Sequence, residues 1–128
     1  MAVACDSAAR GHLALVRGDT AQAARLFAGL PESMCTGPCD RSRLLGARLL
    51  LARGDAQSAA ELLERHQPGT GNGDLFEGSW HLERARAAQM AGDISRAKAE
   101  YAKIERLWAR ADSSLKPFVD EARKARRN

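Results

Sequence analysis

The sequence predicts an all-α protein, a stack of α-helical hairpins with three repeats and a C-terminal capping helix. Strands are built largely from β-branched and aromatic residues, yet the 128 residues include only eight Val, Ile and Thr and 5% aromatics. The 25 Ala residues are strong helix formers. A Gly-Asp pair also recurs between stretches of helical apolar period, which is typical of repeat proteins. Together these observations exclude a substantial β-sheet, and the 45% hydrophobic content disfavours disorder.

The three turns of the predicted hairpins are Gly18-Asp19, Gly54-Asp55 and Gly92-Asp93, which lie 36 and 38 residues apart. Glycine favours the left-handed conformation that ends a helix, and the aspartate carboxylate can cap the next helix. Side-chain size also recurs, with a small residue seven before each Gly, an alanine five after it and a large residue nine after it. These residues are Gly11, Ala47 and Ala85, then Ala23, Ala59 and Ala97, then Phe27, Leu63 and Tyr101. The small residues predict close helix packing, and the large ones predict contact with the next hairpin.

The end of the chain predicts a long helix and then a capping helix. Apolar residues at helical spacing indicate a helix from Ile94 to about Ala111. Asp112 and the two serines after it indicate a break, and Pro117 is tolerated in the first turn of the next helix. The capping helix is therefore predicted at about 114–127, with an apolar stripe that includes Val119 and seals the last repeat from water.

These repeat positions resemble the tetratricopeptide repeat family over about residues 4–111. The resemblance implies a single domain over 1–128, a right-handed solenoid, and repeats at about 4–35, 40–68 and 78–111. A generic α-hairpin solenoid is the alternative description. The pairs Leu107-Trp108 and Ala111-Asp112 are followed by a predicted terminal helix. This order is similar, over about residues 80–125, to the C-terminal repeats of bacterial serine/threonine kinases and winged-helix regulators. This narrower resemblance implies a role in bacterial signalling, either as the tail of a larger protein or as a free-standing relative.

The family resemblance implies a non-catalytic module that binds a protein or peptide partner in the groove formed by the first helices. The implied groove positions mix basic and apolar side chains and are His12, Arg41, Leu44, Arg48, Leu82, Arg86, Gln89 and Met90. His12, Arg48 and Arg86 occupy the same position in successive repeats, which predicts a row suited to a peptide with acidic and apolar side chains. The alternative interpretation places several of the leucines in the core and leaves the arginines merely solvated.

No catalytic, cofactor or metal site is predicted, and no small-molecule substrate is expected. The glycine-rich stretch Gly69–Gly73 lacks the Lys-Ser/Thr end of a phosphate-binding loop, and no helix carries the paired histidines of a zinc protease. Cys5, Cys35 and Cys39 are expected to be reduced thiols. A Cys35–Cys39 disulfide and a structural zinc site are the less favoured alternatives.

The formal net charge of +4 equals the charge of the last six residues, so the remainder of the chain balances to zero. A nucleic-acid binder usually carries a basic stripe on a folded face, so nucleic acid bound through the basic C-terminal helix is the less favoured partner. A self-associating scaffold, such as a homodimer through the uncovered first helix, is a further hypothesis. The first residues lack the apolar core of a secretory signal, and no segment is predicted to insert into a membrane. A cytoplasmic location is therefore expected.

Overall fold

The computed structural model describes residues 2–31, 38–65 and 77–128. These residues form seven α-helices and no strand, so the predicted all-α class is confirmed for the described part of the chain. The helices are α1 (Ala2–Val16), α2 (Thr20–Ala28), α3 (Pro38–Ala52), α4 (Ala56–Arg65), α5 (Glu77–Met90), α6 (Ile94–Leu107) and α7 (Lys116–Arg127). The predictions about the connector Gly69–Gly73 and about the three thiols lie outside the described residues and side chains.

Each of the helices α1 to α6 packs on the helix that follows it in the chain. Helices α1 to α6 form three successive pairs, namely α1 with α2, α3 with α4 and α5 with α6. The first helices of the pairs also meet directly, because α1 contacts α3 and α3 contacts α5. The helix α7 packs on α6. The first helices therefore present adjacent side chains along one face of the molecule.

The three Gly-Asp pairs form the turns that the sequence predicts. Gly18, Gly54 and Gly92 have φ angles of 78°, 80° and 83°, a left-handed conformation that glycine adopts without steric cost. In the first turn Asp19 N–H donates to the Ala14 carbonyl at 2.9 Å and Gly18 N–H donates to the Leu15 carbonyl at 3.0 Å. This pattern is a Schellman motif, and the same two bonds recur in the other two turns.

Each aspartate of these turns then caps the following helix. The carboxylate of Asp19 accepts a hydrogen bond from the backbone N–H three residues later at 3.1 Å, and those of Asp55 and Asp93 do the same at 3.0 and 3.2 Å. The dipeptide thus ends one helix and begins the next, which confirms the predicted role of both residues.

The recurrent small and large residues are all buried, as the repeat pattern predicts. Phe27 and Leu63 are 0% exposed and Tyr101 is 1% exposed. Each packs against the next hairpin or the capping helix: Phe27 lies in a cluster with residues of α3, Leu63 with Trp80 of α5, and Tyr101 with Ala122 of α7. The large residue therefore fills the space between successive hairpins.

Close approach of α1 to Phe27 requires the glycine at position 11. A Cβ atom at Gly11 would lie 2.4 Å from Cε1 of the Phe27 ring, closer than two carbon atoms can approach without movement. The same crowding occurs at the other end of the chain, where a Cβ at Gly78 would lie 2.4 Å from the Trp108 indole. Both glycines therefore provide room for a large ring from a neighbouring helix.

The end of α6 differs from the prediction. The helix ends at Leu107 rather than near Ala111, and Trp108 is the C-cap residue with φ −109° and ψ 17°. Its indole packs near Gly78 and near Phe118 of α7, with 6.0 Å between the ring centroids. Trp108 thus makes these tertiary contacts at the point where α6 ends and the chain turns toward α7. The predicted break at Asp112 is confirmed, because its carboxylate accepts from Ser114 N–H at 2.9 Å.

None of the helices in the described residues is both long and apolar enough to cross a membrane.

Candidate functional site

An open cleft of about 660 Å³ lies between the first helices of the second and third pairs, α3 and α5. Its walls combine apolar and charged side chains, namely Arg48, Leu51, Ala52, Glu83, Arg86, Gln89 and Met90. Met90 is 51% exposed. A thioether chain at such a position adapts readily to the shape of an apolar partner. The cleft thus offers apolar surface beside guanidinium groups.

A buried carboxylate lies between the two arginines of this cleft. Glu83 is 1% exposed, and its Oε1 accepts a hydrogen bond from Arg48 Nε at 2.9 Å and from Arg86 Nη1 at 3.0 Å. An unpaired carboxylate at such a depth is costly, so the two guanidinium groups compensate its charge. Arg48 and Glu83 connect α3 to α5.

Arg86 continues the connection to the capping helix. Its Nε donates to Glu121 Oε2 at 3.0 Å and its Nη2 donates to Glu121 Oε1 at 2.8 Å, a bidentate pair. The hydrogen bond with Glu121 raises the pKa of Arg86 above its ordinary value, despite the opposing effect of burial. The Arg86 guanidinium carbon also lies 5.9 Å from the centroid of the Phe118 ring. We call the alternating series Arg48, Glu83, Arg86 and Glu121 the charge ladder.

Sequence reasoning missed the two acidic members of the charge ladder. Each interhelical pair joins an arginine to a glutamate 35 residues later, Arg48 to Glu83 and Arg86 to Glu121. This separation is close to the spacing of the Gly-Asp turns, so opposite charges one repeat apart were the signal that could have identified them. The arginines alone suggested a basic row, whereas the structure shows that carboxylates accompany them.

The two arginines differ in what they leave available to a ligand. Arg86 uses Nε, Nη1 and Nη2 within the charge ladder, and its side chain is 34% exposed. Arg48 uses only Nε, and its side chain is 45% exposed. Among the described residues neither Nη1 nor Nη2 of Arg48 has a hydrogen-bond partner. Arg48 therefore ends the charge ladder with an unoccupied pair of donors.

Tyr101 connects Gln89, which lines the cleft, to Glu121 of the charge ladder. Its hydroxyl donates to Gln89 Oε1 at 2.9 Å and lies 3.4 Å from Glu121 Oε2. Burial of the phenol, followed by the negative charge of Glu121, raises the pKa of Tyr101 to about 12, and the Arg86 charge acts in the opposite direction. The neutral phenol is thus strongly favoured in the folded protein.

This environment predicts an unusual titration, which is directly observable because Tyr101 is the only tyrosine in the sequence. A pH jump followed by the near-ultraviolet absorbance of tyrosinate is expected to give a midpoint near 12, against 10.0 for the ordinary side chain. Since the folded pKa is the higher one, the contribution to stability is complete below pH 10.0 and is lost as the pH rises to about 12. Glu121→Gln should lower the midpoint, whereas Glu61→Gln on α4 should not. A wild-type midpoint at 10.0 would contradict the described environment.

The structure divides the eight groove residues that the resemblance implies. Arg48, Arg86, Gln89 and Met90 lie together in the cleft. Leu44 and Leu82 are only 4% and 2% exposed and belong to the core, so they present no surface to a partner, in agreement with the alternative interpretation. His12 and Arg41 are exposed but are not among the cleft-lining residues. The predicted row of three basic side chains thus reduces to two in this cleft.

His12 instead links the first helices of the first two pairs. Its Nε2 lies 3.1 Å from Ser42 Oγ, and its ring packs edge-on against Phe27 with 4.9 Å between centroids. A serine beside a histidine is also part of hydrolase sites. Here Ser42 is 1% exposed, and no carboxylate contacts His12 in the part of the chain that the structure describes. The pair acts as a contact between α1 and α3.

A second buried carboxylate lies between α5 and α6. Glu100 is 4% exposed and its Oε2 lies 2.6 Å from His81 Nδ1. Burial disfavours its charged form, but the hydrogen bond with His81 and the charges of Arg84 and Lys103 outweigh burial and hold the pKa of Glu100 below its ordinary value. This cluster fixes α5 on α6. Among the described residues, no group of three His, Cys, Asp or Glu side chains is placed to hold a metal ion.

The basic C-terminal helix is not uniformly cationic. Arg126 pairs with Glu105 of α6, and Lys116 pairs with Asp120 within α7. The hydrogen bond from Lys116 holds the pKa of Asp120 below its ordinary value, and the nearby Arg123 and Arg127 act in the same direction. The surface between α6 and α7 therefore mixes both signs of charge, and nucleic-acid binding by this helix stays a prediction.

No family model, no curated protein and no solved structure matches this chain. The resemblance to tetratricopeptide repeats therefore rests on the repeat positions alone and stays a prediction.

Proposed function

We propose that the chain is a non-catalytic protein-interaction module of tetratricopeptide-like architecture, which binds an extended peptide segment of a partner protein. The binding site is the cleft between α3 and α5. The observation that carries the proposal is that one open cleft combines the exposed thioether side chain of Met90 with the half-exposed side chain of Arg48. A role in bacterial signalling or complex assembly is part of the proposal and is supported by the C-terminal resemblance.

The size and composition of the cleft support a ligand of this kind. Pockets that bury a ligand usually have volumes of about 300–1,000 Å³ and combine apolar walls with few polar groups, and this cleft has about 660 Å³. Because α1, α3 and α5 contact one another in series, the surface of the first helices continues beyond the cleft. An extended peptide can follow such a surface across several helices.

Met90→Glu tests the site. A carboxylate on the apolar wall should weaken peptide binding at least tenfold, because a charge there is either desolvated or keeps the peptide away. The matched control is Ile94→Glu, since Ile94 is 50% exposed against 51% for Met90 but is not one of the cleft-lining residues. The probe is the strongest binder from a screen of short random peptides with acetyl and amide ends, measured by fluorescence anisotropy with the intact chain.

Two results would refute this function. The first is a screen that yields no binder, and the second is a binder whose affinity falls equally in both variants. Light scattering on the same samples reports self-association. A dimer that Met90→Glu dissociates and Ile94→Glu does not would assign the cleft to a second copy of the chain instead.

A further inference from the structure

We propose that the peptide segment is acidic, and that a side-chain carboxylate of the ligand binds Nη1 and Nη2 of Arg48. Glu83 acts as a positioning residue, because it orients that guanidinium. This inference rests on the proposed function and specifies the ligand that the cleft selects.

The orientation of Arg48 follows from the geometry of its pair with Glu83. A guanidinium carries five N–H donors in one plane, and a carboxylate can accept two parallel bonds from one edge of that plane. The Nε–H of Arg48 donates to Glu83 Oε1 at 2.9 Å. Glu83 itself is buried and is also held by Arg86. The plane of Arg48 is therefore anchored by its inner edge, and the Nη1–Nη2 edge is left for a ligand.

The charges of the ladder favour an anion at this end. Going from α7 toward α3, the series runs Glu121, Arg86, Glu83, Arg48. Arg86 lies between two carboxylates, whereas Arg48 shares one carboxylate with Arg86 and pairs with no second one among the described residues. A ligand carboxylate would give Arg48 the arrangement that Arg86 already has. The sign of the charge would then alternate along the whole series, from Glu121 to the ligand carboxylate.

A neutral ligand is disfavoured by the same geometry. A peptide that packs on Met90 and Ala52 also covers Arg48, because all three line the cleft. The Arg48 side chain is 45% exposed, so solvent can reach its Nη groups, and a neutral apolar ligand would exclude that solvent without replacing its hydrogen bonds. Burying unsatisfied donors of a charged group costs more than the apolar contact beside them contributes. The cleft therefore selects a carboxylate next to an apolar side chain.

The test compares two versions of the selected peptide, one with the acidic residue and one with Gln or Asn in its place. Wild-type protein should bind the acidic version at least tenfold more tightly, since bonds to charged groups are the stronger ones. Arg48→Ala should abolish this preference, and Arg48→Lys should retain only part of it because lysine lacks the planar edge. The matched control is Arg25→Ala. Arg25 is an exposed arginine of α2, which is not one of the first helices, and it lies outside the cleft-lining set, so its loss should change neither affinity.

Glu83→Gln tests the positioning role. The amide keeps the shape of the side chain but loses the charge that anchors Arg48. We expect the ratio of the two affinities, acidic over neutral, to fall severalfold, because the charge-assisted bond that orients Arg48 is lost. A purely structural role of Glu83 would lower both affinities together.

The outcomes separate this inference from the proposed function. If Arg48→Ala weakens the acidic and the neutral peptide equally, or if the screen selects peptides without Asp or Glu, the acidic specificity is refuted. The cleft remains the site in that case as long as Met90→Glu, and not Ile94→Glu, weakens binding. If both of those variants bind alike, the proposed function itself fails.

Discussion

Replacing Phe27 by alanine is expected to lower the free energy of unfolding by about 3–5 kcal/mol. The ring is 0% exposed and packs with Ala14, Ala23 and Leu30, between the first hairpin and residues of α3. Its removal leaves a cavity whose walls are helices fixed by the Gly-Asp turns, so collapse around it is limited. Thermal or urea unfolding monitored by circular dichroism measures the loss, which corresponds to a fall in Tm of roughly 10–20 °C for a chain of this size. Leu107→Ala is the control, because that side chain is 43% exposed and should cost under about 1 kcal/mol.

Substitution of Gly11 tests whether the effect of Phe27→Ala arises where α1 packs on α2. Gly11→Ala alone should destabilise the protein by about 1–3 kcal/mol, because its Cβ would overlap the Phe27 ring at 2.4 Å. In the Phe27→Ala background the same change should be neutral or stabilising, since the ring is gone and alanine is a better helix former than glycine by about 1 kcal/mol. Additive effects of the two substitutions would show that Gly11 and Phe27 are not in contact.

Replacing Arg86 by alanine is expected to have the second largest effect, about 2–3 kcal/mol. The sequence predicts Arg86 as a groove residue or, in the alternative interpretation, as a merely solvated side chain. The structure differs, because Arg86 makes a bidentate pair with Glu121 of α7 and also neutralises the buried Glu83. Its removal leaves Glu83 with Arg48 alone and releases one attachment of the capping helix.

Hydrogen exchange with mass spectrometry locates this effect. Amides of α7 should lose protection in Arg86→Ala while the Gly18 and Gly54 hairpins keep theirs, because the interhelical bonds of Arg86 join α5 to α7. Arg86→Lys should be intermediate, since lysine keeps the charge and lacks the planar fork. Arg110→Ala is the control, because this exposed arginine is not a member of the ladder. Uniform loss of protection across all helices would contradict an attachment that is local to α7.

The local architecture was predictable from the sequence because short-range rules determine it. The Gly-Asp turns, their left-handed glycines and the capping aspartates depend on a few neighbouring residues. The burial of Gly11, Phe27 and their equivalents follows from side-chain size at repeated positions. Four of the eight implied groove residues line the cleft, because equivalent positions on adjacent helices face the same way. They are Arg48, Arg86, Gln89 and Met90.

Only the tertiary structure decided which charges meet and which leucines are covered. Arg48 and Glu83 lie 35 residues apart on different helices, and their pairing depends on the rotation and stagger of α3 against α5. Leu44 and Leu82 share a helical face with surface positions, and the adjacent hairpin determines that they are buried. The helix α6 ends at Leu107, where Trp108 packs on Gly78 and Phe118, and these contacts are formed only in the packed structure. Helix propensity and capping act within one or two turns of the chain, whereas the distance between two charges and their exposure to water are properties of the packed helices.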